Sequence, residues 1–529
     1  MHAAQIESID DIETLRRIAI EAIAAKEAQI AERDALIATH GRTIVYKDAK
    51  IDALTQEVAR LRRLQYAAKS ERFDPAQQPM FDEAIAADIG AVEAQLDALR
   101  AEVDADRGTP AKLRNIPQRR PLPPELPRVE VRHEPASCTC GSCGGALHPI
   151  GEQVSEKLDL EPLKFFVRRD VYPQYACRAC ETITAAPVAP AIIDRGIAAP
   201  GLLAQVVIGK YVDHLPLYRQ EAMFERAGLA IPRNVQAEWI GRIGVALAPL
   251  AAALKADLLA RPILHADETP VGQLDPGRGK VKRAYLFAYR SADHTGPPII
   301  LFDYGENRSG EHVREFLGDW RGALMVDDYA GYKKLFDRGV VELGCWAHAR
   351  RKFHELHVAN RSPIAAEALT RIGALYAIEA EAREAGLDPA ALHALRQAQA
   401  KPRVEAFKAW LDETRPKALG ASGTRNAIDY TLKRWPALMR YLDDGRHPID
   451  NNPIENAIRP IALGRKNWLF AGSERAGERA AIIMGLLATA KANGHEPHAW
   501  LSDVLTRLPT TKDSEIGTLL PHTWRPAAG

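Results

Sequence analysis

The chain has 529 residues, 46% of them hydrophobic, and carries a formal net charge of +1. This length predicts several domains, roughly three or four, and the composition is apolar enough for real cores. The balanced charge excludes a global field that attracts nucleic acid, so any such contact must come from local patches. No apolar run reaches membrane-spanning length and no signal peptide is recognised, which predicts a cytoplasmic protein without a membrane partner.

The first segment, residues 1–106, carries a heptad pattern that predicts a coiled coil. Ile or Val recurs every seven residues from Ile23 to Val58, and Leu54 and Leu61 add apolar d positions in the second half. Polar d positions weaken the seam in the first half. A second apolar pattern runs from Ile85 to Val103. The two segments either pack as an antiparallel hairpin within one chain or pair between chains, and pairing predicts a homodimer or higher oligomer.

Residues 107–134 form a proline-rich linker with a local excess of basic over acidic side chains. Such linkers are usually only solvated, but a basic one can also lie along a phosphate backbone. The sequence leaves both interpretations open.

The next segment, residues 135–190, contains five of the six cysteines. In a reducing compartment such clustering indicates metal binding before disulfide formation. Two Cys-x-x-Cys pairs can supply four thiolates to one tetrahedral Zn²⁺, which predicts a zinc-ribbon-like module. The predicted zinc ligands are Cys140, Cys143, Cys177 and Cys180. Cys138 remains an open fifth candidate.

Residues 191–258 have a helical pattern with a break around Gly228–Pro232. Two helices joined by a short glycine-containing turn are typical of a helix-turn-helix. The start of its second helix would then reach DNA bases, through Arg233, Asn234 and Gln236. An ordinary helical pair that bridges domains is the alternative.

Two predicted buried strands further along the chain each end in acidic residues. Asp267 follows the first strand and Asp327 the second. Carboxylates gathered at the ends of buried strands are costly unless protons or cations compensate their charge. These strand ends are therefore candidates for a cation site.

A third carboxylate, Glu455, lies at a predicted helix start, where Asn452 is a good N-cap and Pro453 suits the first helical position. Glu455 either closes a capping box with that cap or points into a cleft as a metal ligand. Together with Asp267 and Asp327 it would give three oxygen ligands that suit Mg²⁺ or Mn²⁺. Two such ions can activate an attacking oxygen and stabilise a leaving one in phosphoryl transfer.

The order strand Asp, strand Asp, insertion, helix Glu resembles that of DDE transposases on a ribonuclease-H-like core. The chain as a whole is similar to transposases of the insertion-sequence 66 family. Besides the two Cys-x-x-Cys pairs, the resemblance rests on short motifs in a specific order: Ala68–Arg72, Lys210–Arg219, His265–Pro270, Asp327–Tyr332, Gly344–Phe353, Asn451–Asn456 and Arg465–Trp468.

This resemblance implies a multidomain α+β architecture. The segments it assigns are a coiled-coil or leucine-zipper-like region (1–106), the linker (107–134), the zinc module (135–190), a helical DNA-binding segment (191–258), a ribonuclease-H-like α/β catalytic core (259–348 and 449–495), an all-α insertion (349–448) and a C-terminal tail (496–529).

The resemblance also implies a metal-dependent DNA transposase whose catalytic, metal-binding residues are Asp267, Asp327 and Glu455. The family usually has a glycine where this chain has Asp328, so Asp327 fits the second position. His348 matches a histidine after the insertion boundary and is interpreted as a core or capping residue. Phosphates of double-stranded DNA are expected to contact Arg350, Arg459, Arg465 and Lys466.

Accessory proteins of the same mobile element are implied as partners. A DNA-binding and end-pairing protein without catalytic activity is the main alternative, and a zinc-ribbon nuclease unrelated to transposition is a third interpretation.

Overall fold

The computed structural model forms two units, drawn from residues 1–63 with 92–119 and from residues 64–91 with 120–529. The predicted motif Ala68–Arg72 and most of the predicted linker lie outside the residues that the structure describes. The described residues are 12–67, 78–107, 122–124, 126–135, 137–161, 164–275, 280–420 and 422–526.

Two long helices dominate the N-terminal region: α1 (Ile12–Ala67) and α2 (Gln78–Arg107). An ion pair joins Lys47 on α1 to Glu102 near the end of α2, with 3.1 Å between Nζ and Oε2. Because this contact lies within one chain, it favours the antiparallel hairpin for the second half of α1.

Burial along these helices divides α1 into two halves. Val58 and Leu61 are buried, whereas Ile23 and Ile30 are each 57% exposed. The buried heptad positions of α2 in the same unit are Val92, Leu96 and Val103. The apolar heptad positions are therefore buried in the second half of α1, where both the a and the d positions are apolar.

The cysteine segment folds around a four-stranded sheet in which β3 is central. β1 pairs with it in parallel, while β2 and the short β4 pair antiparallel. The strands are β1 (Arg128–Arg132), β2 (Leu147–Glu161), β3 (Lys164–Cys177) and β4 (Ile183–Ala185).

Three helices follow, where the sequence predicted two. They are α3 (Pro200–Tyr211), α4 (Leu217–Arg226) and α5 (Arg233–Leu259). The left-handed backbone of His214 (φ 56°) and Gly228 (φ 90°) lies in the two breaks. α5 is a core helix, because its apolar stripe is almost completely buried: Trp239, Ile240, Ile243, Leu247, Leu250, Leu254 and Leu258.

A second, six-stranded sheet has the order β7-β6-β5-β8-β9, with the short β10 paired to β5. β5, β8, β9 and β10 run parallel, whereas β6 is antiparallel to both neighbours. The strands are β5 (Ile263–Asp275), β6 (Lys280–Ser291), β7 (Ile300–Gly305), β8 (Ala323–Val326), β9 (Val341–Gly344) and β10 (Phe470–Ala471). The helices between β7 and β9 are α6 (Gly310–Leu317) and α7 (Lys333–Phe336).

Six helices occupy most of the segment between β9 and residue 450. They surround a core of their own that includes Trp346, Phe407 and Tyr441. These helices are α8 (Trp346–Asn360), α9 (Pro363–Glu384), α10 (Pro389–Leu395), α11 (Lys401–Thr414), α12 (Gly423–Lys433) and α13 (Trp435–Met439).

The chain ends with α14 (Asn452–Trp468), α15 (Glu474–Ala492) and α16 (Pro497–Arg507). The segment predicted only as a C-terminal tail packs into the main core, where Trp500 and Leu501 are fully buried. Within the described chain, no helix combines the length and apolarity needed to cross a lipid bilayer.

Candidate active site and metal centres

Strand register indicates that Asp267 and Asp327 lie near each other. His265 on β5 pairs with Met325 on the parallel strand β8. Extending this register by two residues sets Asp267 opposite Asp327, at the carboxyl end of β8. Neighbouring strands lie about 4.8 Å apart and residues i and i+2 share a face, so we expect the two carboxylates to lie on the same face of the sheet, at the point where β8 ends and β5 continues.

The Asp267 carboxylate lies in a crowded negative environment. Its Oδ1 accepts a hydrogen bond from the backbone N–H of Glu268 at 2.8 Å. Burial and the charge of Glu268, followed by the charges of Asp327 and Glu455, raise the pKa of Asp267 to about 7. The charge that accumulates here favours a bound proton or cation.

Glu268, the neighbouring acid, is already neutralised by other residues. Its Oε1 accepts from Arg308 Nε at 2.8 Å, and its Oε2 accepts from the Tyr332 hydroxyl at 3.0 Å. Its side chain is only 2% exposed. The prediction that the first strand ends at its acidic residues was wrong, because β5 continues to Asp275 and Asp267 lies within it. Of the two neighbouring acids, Asp267 is the one without an ion pair in the described chain.

Asp327 and Asp328 have separate surroundings. Asp328 pairs with Lys433 at 2.9 Å and Arg434 at 3.5 Å, both from the helical segment after β9. Asp327 Oδ1 accepts only from the backbone N–H of Tyr329, at 2.8 Å, among its described hydrogen bonds. The charge of Asp328 is therefore compensated by these two basic residues, whereas the Asp327 carboxylate is the one that could share a cation with Asp267.

Glu455 lies in the first turn of α14. The N-cap of this helix is one residue before Asn452, the residue predicted from the sequence. Asn451 is the N-cap, without a capping hydrogen bond from its side chain. Asn452 instead donates from Nδ2 to Asp450 Oδ2 at 2.7 Å. The predicted capping role of Asn452 was therefore wrong.

The carboxylate of Glu455 faces helix α8 instead of a cap. Its Oε2 accepts from Arg351 Nη2 at 3.1 Å. Its Oε1 lies 3.8 Å from His348 Nδ1, and both of these atoms are buried without a hydrogen-bond partner in the described chain. Burial lowers the pKa of His348, while the charge of Glu455 opposes that shift.

Asn451 connects the elements of this site, and the sequence pattern did not single it out for that role. The residue is fully buried. Its Nδ2 donates to the Ala266 carbonyl at 2.9 Å, its Oδ1 lies 3.0 Å from His265 Nδ1, and its backbone N–H donates to Cys345 Sγ at 3.2 Å. Because burial, followed by the charge of Arg290, lowers the pKa of His265 to about 4, His265 is neutral and donates from Nδ1.

Two sets of potential metal ligands in the described chain have ligand atoms all within 4.8 Å of one another. One set is the four predicted zinc ligands, and the other is Cys345, His348 and Glu455. Asp267, Asp327 and Glu455 do not form so tight a set, although the charges of Asp327 and Glu455 both act on Asp267.

The four cysteines converge from two turns. Cys140 Sγ lies 3.4 Å from Cys180 Sγ, and Cys143 Sγ lies 3.4 Å from Cys177 Sγ. Ligands about 2.3 Å from a tetrahedral Zn²⁺ lie about 3.8 Å apart, so the cluster has the size that the ion requires. Cys138 is exposed and outside the set.

The backbone of the two turns supports this cluster. The N–H of Cys140 donates to the Gly145 carbonyl at 2.8 Å, and the left-handed Gly144 (φ 72°) closes the first turn. A hydrogen bond from Thr182 lowers the pKa of Cys180 to about 6. Backbone hydrogen bonding at Gly145 favours the thiolate of Cys143, but the neighbouring thiols together raise its pKa to about 12.

The basic residues expected to contact DNA near the carboxylates have different environments. Arg459 and Lys466 are exposed on α14. Arg465 is half-buried and donates to Thr269 Oγ1 at 3.3 Å. Arg350 is exposed and lines a cleft of about 530 Å³ together with Arg351.

The residues predicted to read bases do not share one exposed surface. Asn234 is exposed and Arg233 is half-buried. Gln236 is fully buried and donates from Nε2 to the Ile231 carbonyl at 2.8 Å. The prediction for Gln236 was wrong, because α5 turns that side chain into the core.

Comparison with known families gives matches along most of the chain. Residues 195–479, more than half of the sequence, match the model of the transposase IS66 family. Residues 137–181 match the zinc-finger binding domain of transposase IS66, and residues 485–522 match the IS66 C-terminal element. Residues 53–131 match a model described as transposase C of IS166 homeodomain.

Similar full-length proteins occur in Sinorhizobium fredii. The uncharacterized protein y4jD is 36% identical over 494 residues, which cover 89% of this chain and 94% of the relative. The uncharacterized protein y4qI is 35% identical over 537 residues, which cover 98% of each. The family match and the length of these similarities show that the chain belongs to the IS66 family of transposases.

Proposed function

We propose that the protein is a DDE-type DNA transposase in which Asp267, Asp327 and Glu455 form the catalytic centre. The observations that support this proposal are the register of β5 and β8, extended by two residues from the His265–Met325 pair, and the charges of Asp327 and Glu455 that help to raise the pKa of Asp267. A carboxylate cluster at a strand edge is a costly arrangement that a cation site explains.

The order of the second sheet supports a ribonuclease-H-like core. Three antiparallel strands, β7, β6 and β5, continue into two parallel strands, β8 and β9. The helical segment then intervenes before α14 returns Glu455 to the edge that carries both aspartates.

The three carboxylates fit Mg²⁺ or Mn²⁺, because Glu455 Oε1 is buried without a partner and Asp267 carries a raised pKa. When bound, such ions supply Lewis-acid stabilisation of attacking and leaving oxygens. The exposed side chains of Arg350, Arg459 and Lys466 would hold phosphates of the DNA backbone, and Arg465 would help if it leaves Thr269.

The proposed chemistry consists of two phosphoryl transfers. A water oxygen attacks phosphorus at the transposon end and the 3′ oxygen leaves, which frees a 3′-hydroxyl. That hydroxyl then attacks phosphorus in the target DNA, forming a new phosphodiester bond as the target 3′ oxygen leaves. No bond between protein and DNA forms in either step.

The remaining elements would bind and pair the DNA ends. The cysteine cluster would hold structural Zn²⁺, and its module would bind terminal DNA together with the start of α5, at Arg233 and Asn234. α1 would pair protomers, and accessory proteins of the same element would complete the assembly.

The decisive test is strand cleavage and joining on a labelled transposon end with Mg²⁺ or Mn²⁺. We expect Asp267→Asn, Asp327→Asn and Glu455→Gln each to abolish both reactions while end binding is retained. Asp328→Asn is the matched control, and it should keep cutting because Asp328 pairs with Lys433 and Arg434.

Two outcomes would contradict the proposal. Wild-type protein that binds ends but never cuts them, even with accessory proteins, would indicate a DNA-pairing protein without catalytic activity. Cleavage without end specificity or joining would indicate a nuclease.

A further inference from the structure

Two polar atoms, one on helix α8 and one on helix α14, face each other without a hydrogen-bond partner in the described chain. His348 Nδ1 and Glu455 Oε1 are both buried, and neither makes a hydrogen bond in the described chain. Each side chain as a whole is 20% exposed, so the pair lies at the edge of solvent. A buried polar atom without a partner destabilises a fold, so two such atoms facing each other require an explanation.

The distance between His348 Nδ1 and Glu455 Oε1 is longer than that of a hydrogen bond. A protonated imidazole that donates to a carboxylate lies about 2.7–2.9 Å from it, whereas these atoms are 3.8 Å apart. Two ligands held about 2.1 Å from one ion are separated by at most about 4.2 Å. The gap therefore has the size that a shared cation would fill.

The neighbouring groups leave these two atoms free for an ion. Arg351 binds the other oxygen of Glu455, at 3.1 Å. Cys345 Sγ belongs to the same compact set, but it already accepts the backbone N–H of Asn451 at 3.2 Å. Cys345 thus ties the start of α8 to the start of α14 and holds His348 opposite Glu455.

We propose that His348 Nδ1 binds the same cation as Glu455, so that this half of the carboxylate centre has a mixed nitrogen and oxygen ligand set. This inference rests on the proposed function, because it takes Glu455 to be a metal ligand. It makes His348 a metal ligand, whereas the sequence analysis interpreted this histidine as a core or capping residue. Imidazole nitrogen is a softer ligand than carboxylate oxygen, so His348 would favour a transition-metal ion over Mg²⁺.

The test uses the full-length, zinc-replete protein with Mn²⁺ alone as the probe. Electron spin echo envelope modulation of bound Mn²⁺ should show coupling to an imidazole nitrogen. We expect this coupling to disappear in His348→Gln, and the affinity for Mn²⁺ to fall about tenfold or more. His354→Gln is the matched control, because His354 is exposed on the same helix and should leave the spectrum and affinity unchanged.

The outcomes separate this inference from the proposed function. If Glu455→Gln weakens Mn²⁺ binding but the wild-type spectrum lacks nitrogen coupling, His348 is not a ligand and only the inference is overturned. If Glu455→Gln leaves Mn²⁺ binding unchanged, both are overturned. Loss of coupling in His348→Gln, with wild-type thermal unfolding retained, supports the inference.

Discussion

Asn451 contacts three segments that are far apart in the sequence. It bonds to His265 and Ala266 on β5 and to Cys345 before α8, and it occupies the N-cap position of the helix that carries Glu455. Because its amide is fully buried, each of these bonds also satisfies a group that water cannot reach. One side chain thereby fixes the distance between the strand that carries Asp267 and the helix that carries Glu455.

We predict that Asn451→Ala destabilises the second unit. The change leaves the His265 Nδ1–H and the Ala266 carbonyl unpaired, at a cost of about 1–3 kcal/mol for each group. Urea unfolding should show this loss, and binding of Mn²⁺ should weaken as Glu455 shifts. Asn452→Ala is the control, since Asn452 is exposed; equal losses in both variants would show that Asn451 has no special role.

At the scale of elements, the four cysteines lie on two short turns. One turn precedes β2 and the other follows β3, so the pairing of these two strands brings the turns together. Cys177 ends β3 and pairs in register with Leu147 at the start of β2. The end of the module that contains the cysteines has a small core of its own, formed by Cys140, Leu147 and Cys177. So small a core is expected to depend on a bound metal to hold its turns together.

We predict that Cys180→Ser loses the bound zinc, because it removes one of four converging thiolates. Structural Zn²⁺ contributes on the order of 10 kcal/mol to the folding of small modules, so hydrogen exchange around the two turns should accelerate. Cys138→Ser should keep one equivalent of zinc by elemental analysis. Zinc loss in Cys138→Ser would show that Cys138 is a ligand.

At the scale of the whole molecule, the first half of α1 leaves apolar heptad positions exposed. Ile23 and Ile30 occupy β-branched heptad positions and remain 57% exposed in the single chain. The second half of α1 is already beside α2, as the Lys47–Glu102 ion pair shows. Pairing between chains is therefore expected at the start of α1.

We predict that the double change Ile23→Glu and Ile30→Glu converts a dimer into a monomer, because like charges would face each other across the seam. Light scattering coupled to size-exclusion chromatography measures the mass directly. Val45→Glu is the control, since Val45 is 70% exposed but outside the heptad positions. A wild-type monomer, or a double variant that stays dimeric, would contradict the prediction.

The sequence by itself determined the groups whose chemistry follows from residue type and spacing. Two Cys-x-x-Cys pairs specify a thiolate cluster because each pair forms its own turn. Asp267 and Asp327 follow predicted strands, and both segments do form strands, although β5 continues past Asp267 to Asp275. The family, too, could be recognised from the order of short motifs.

Only the tertiary structure decided which neighbours these groups have. Asp328 and Asp327 are adjacent in sequence, yet Lys433 and Arg434 form ion pairs with the carboxylate of Asp328, whereas Arg434 contacts Asp327 at its backbone carbonyl. Gln236 looked available for DNA but faces the core, because packing sets the rotation of α5 about its axis. Asn451 and His348 acquire their roles from contacts across about a hundred residues or more, and such long-range contacts have no signature in local spacing.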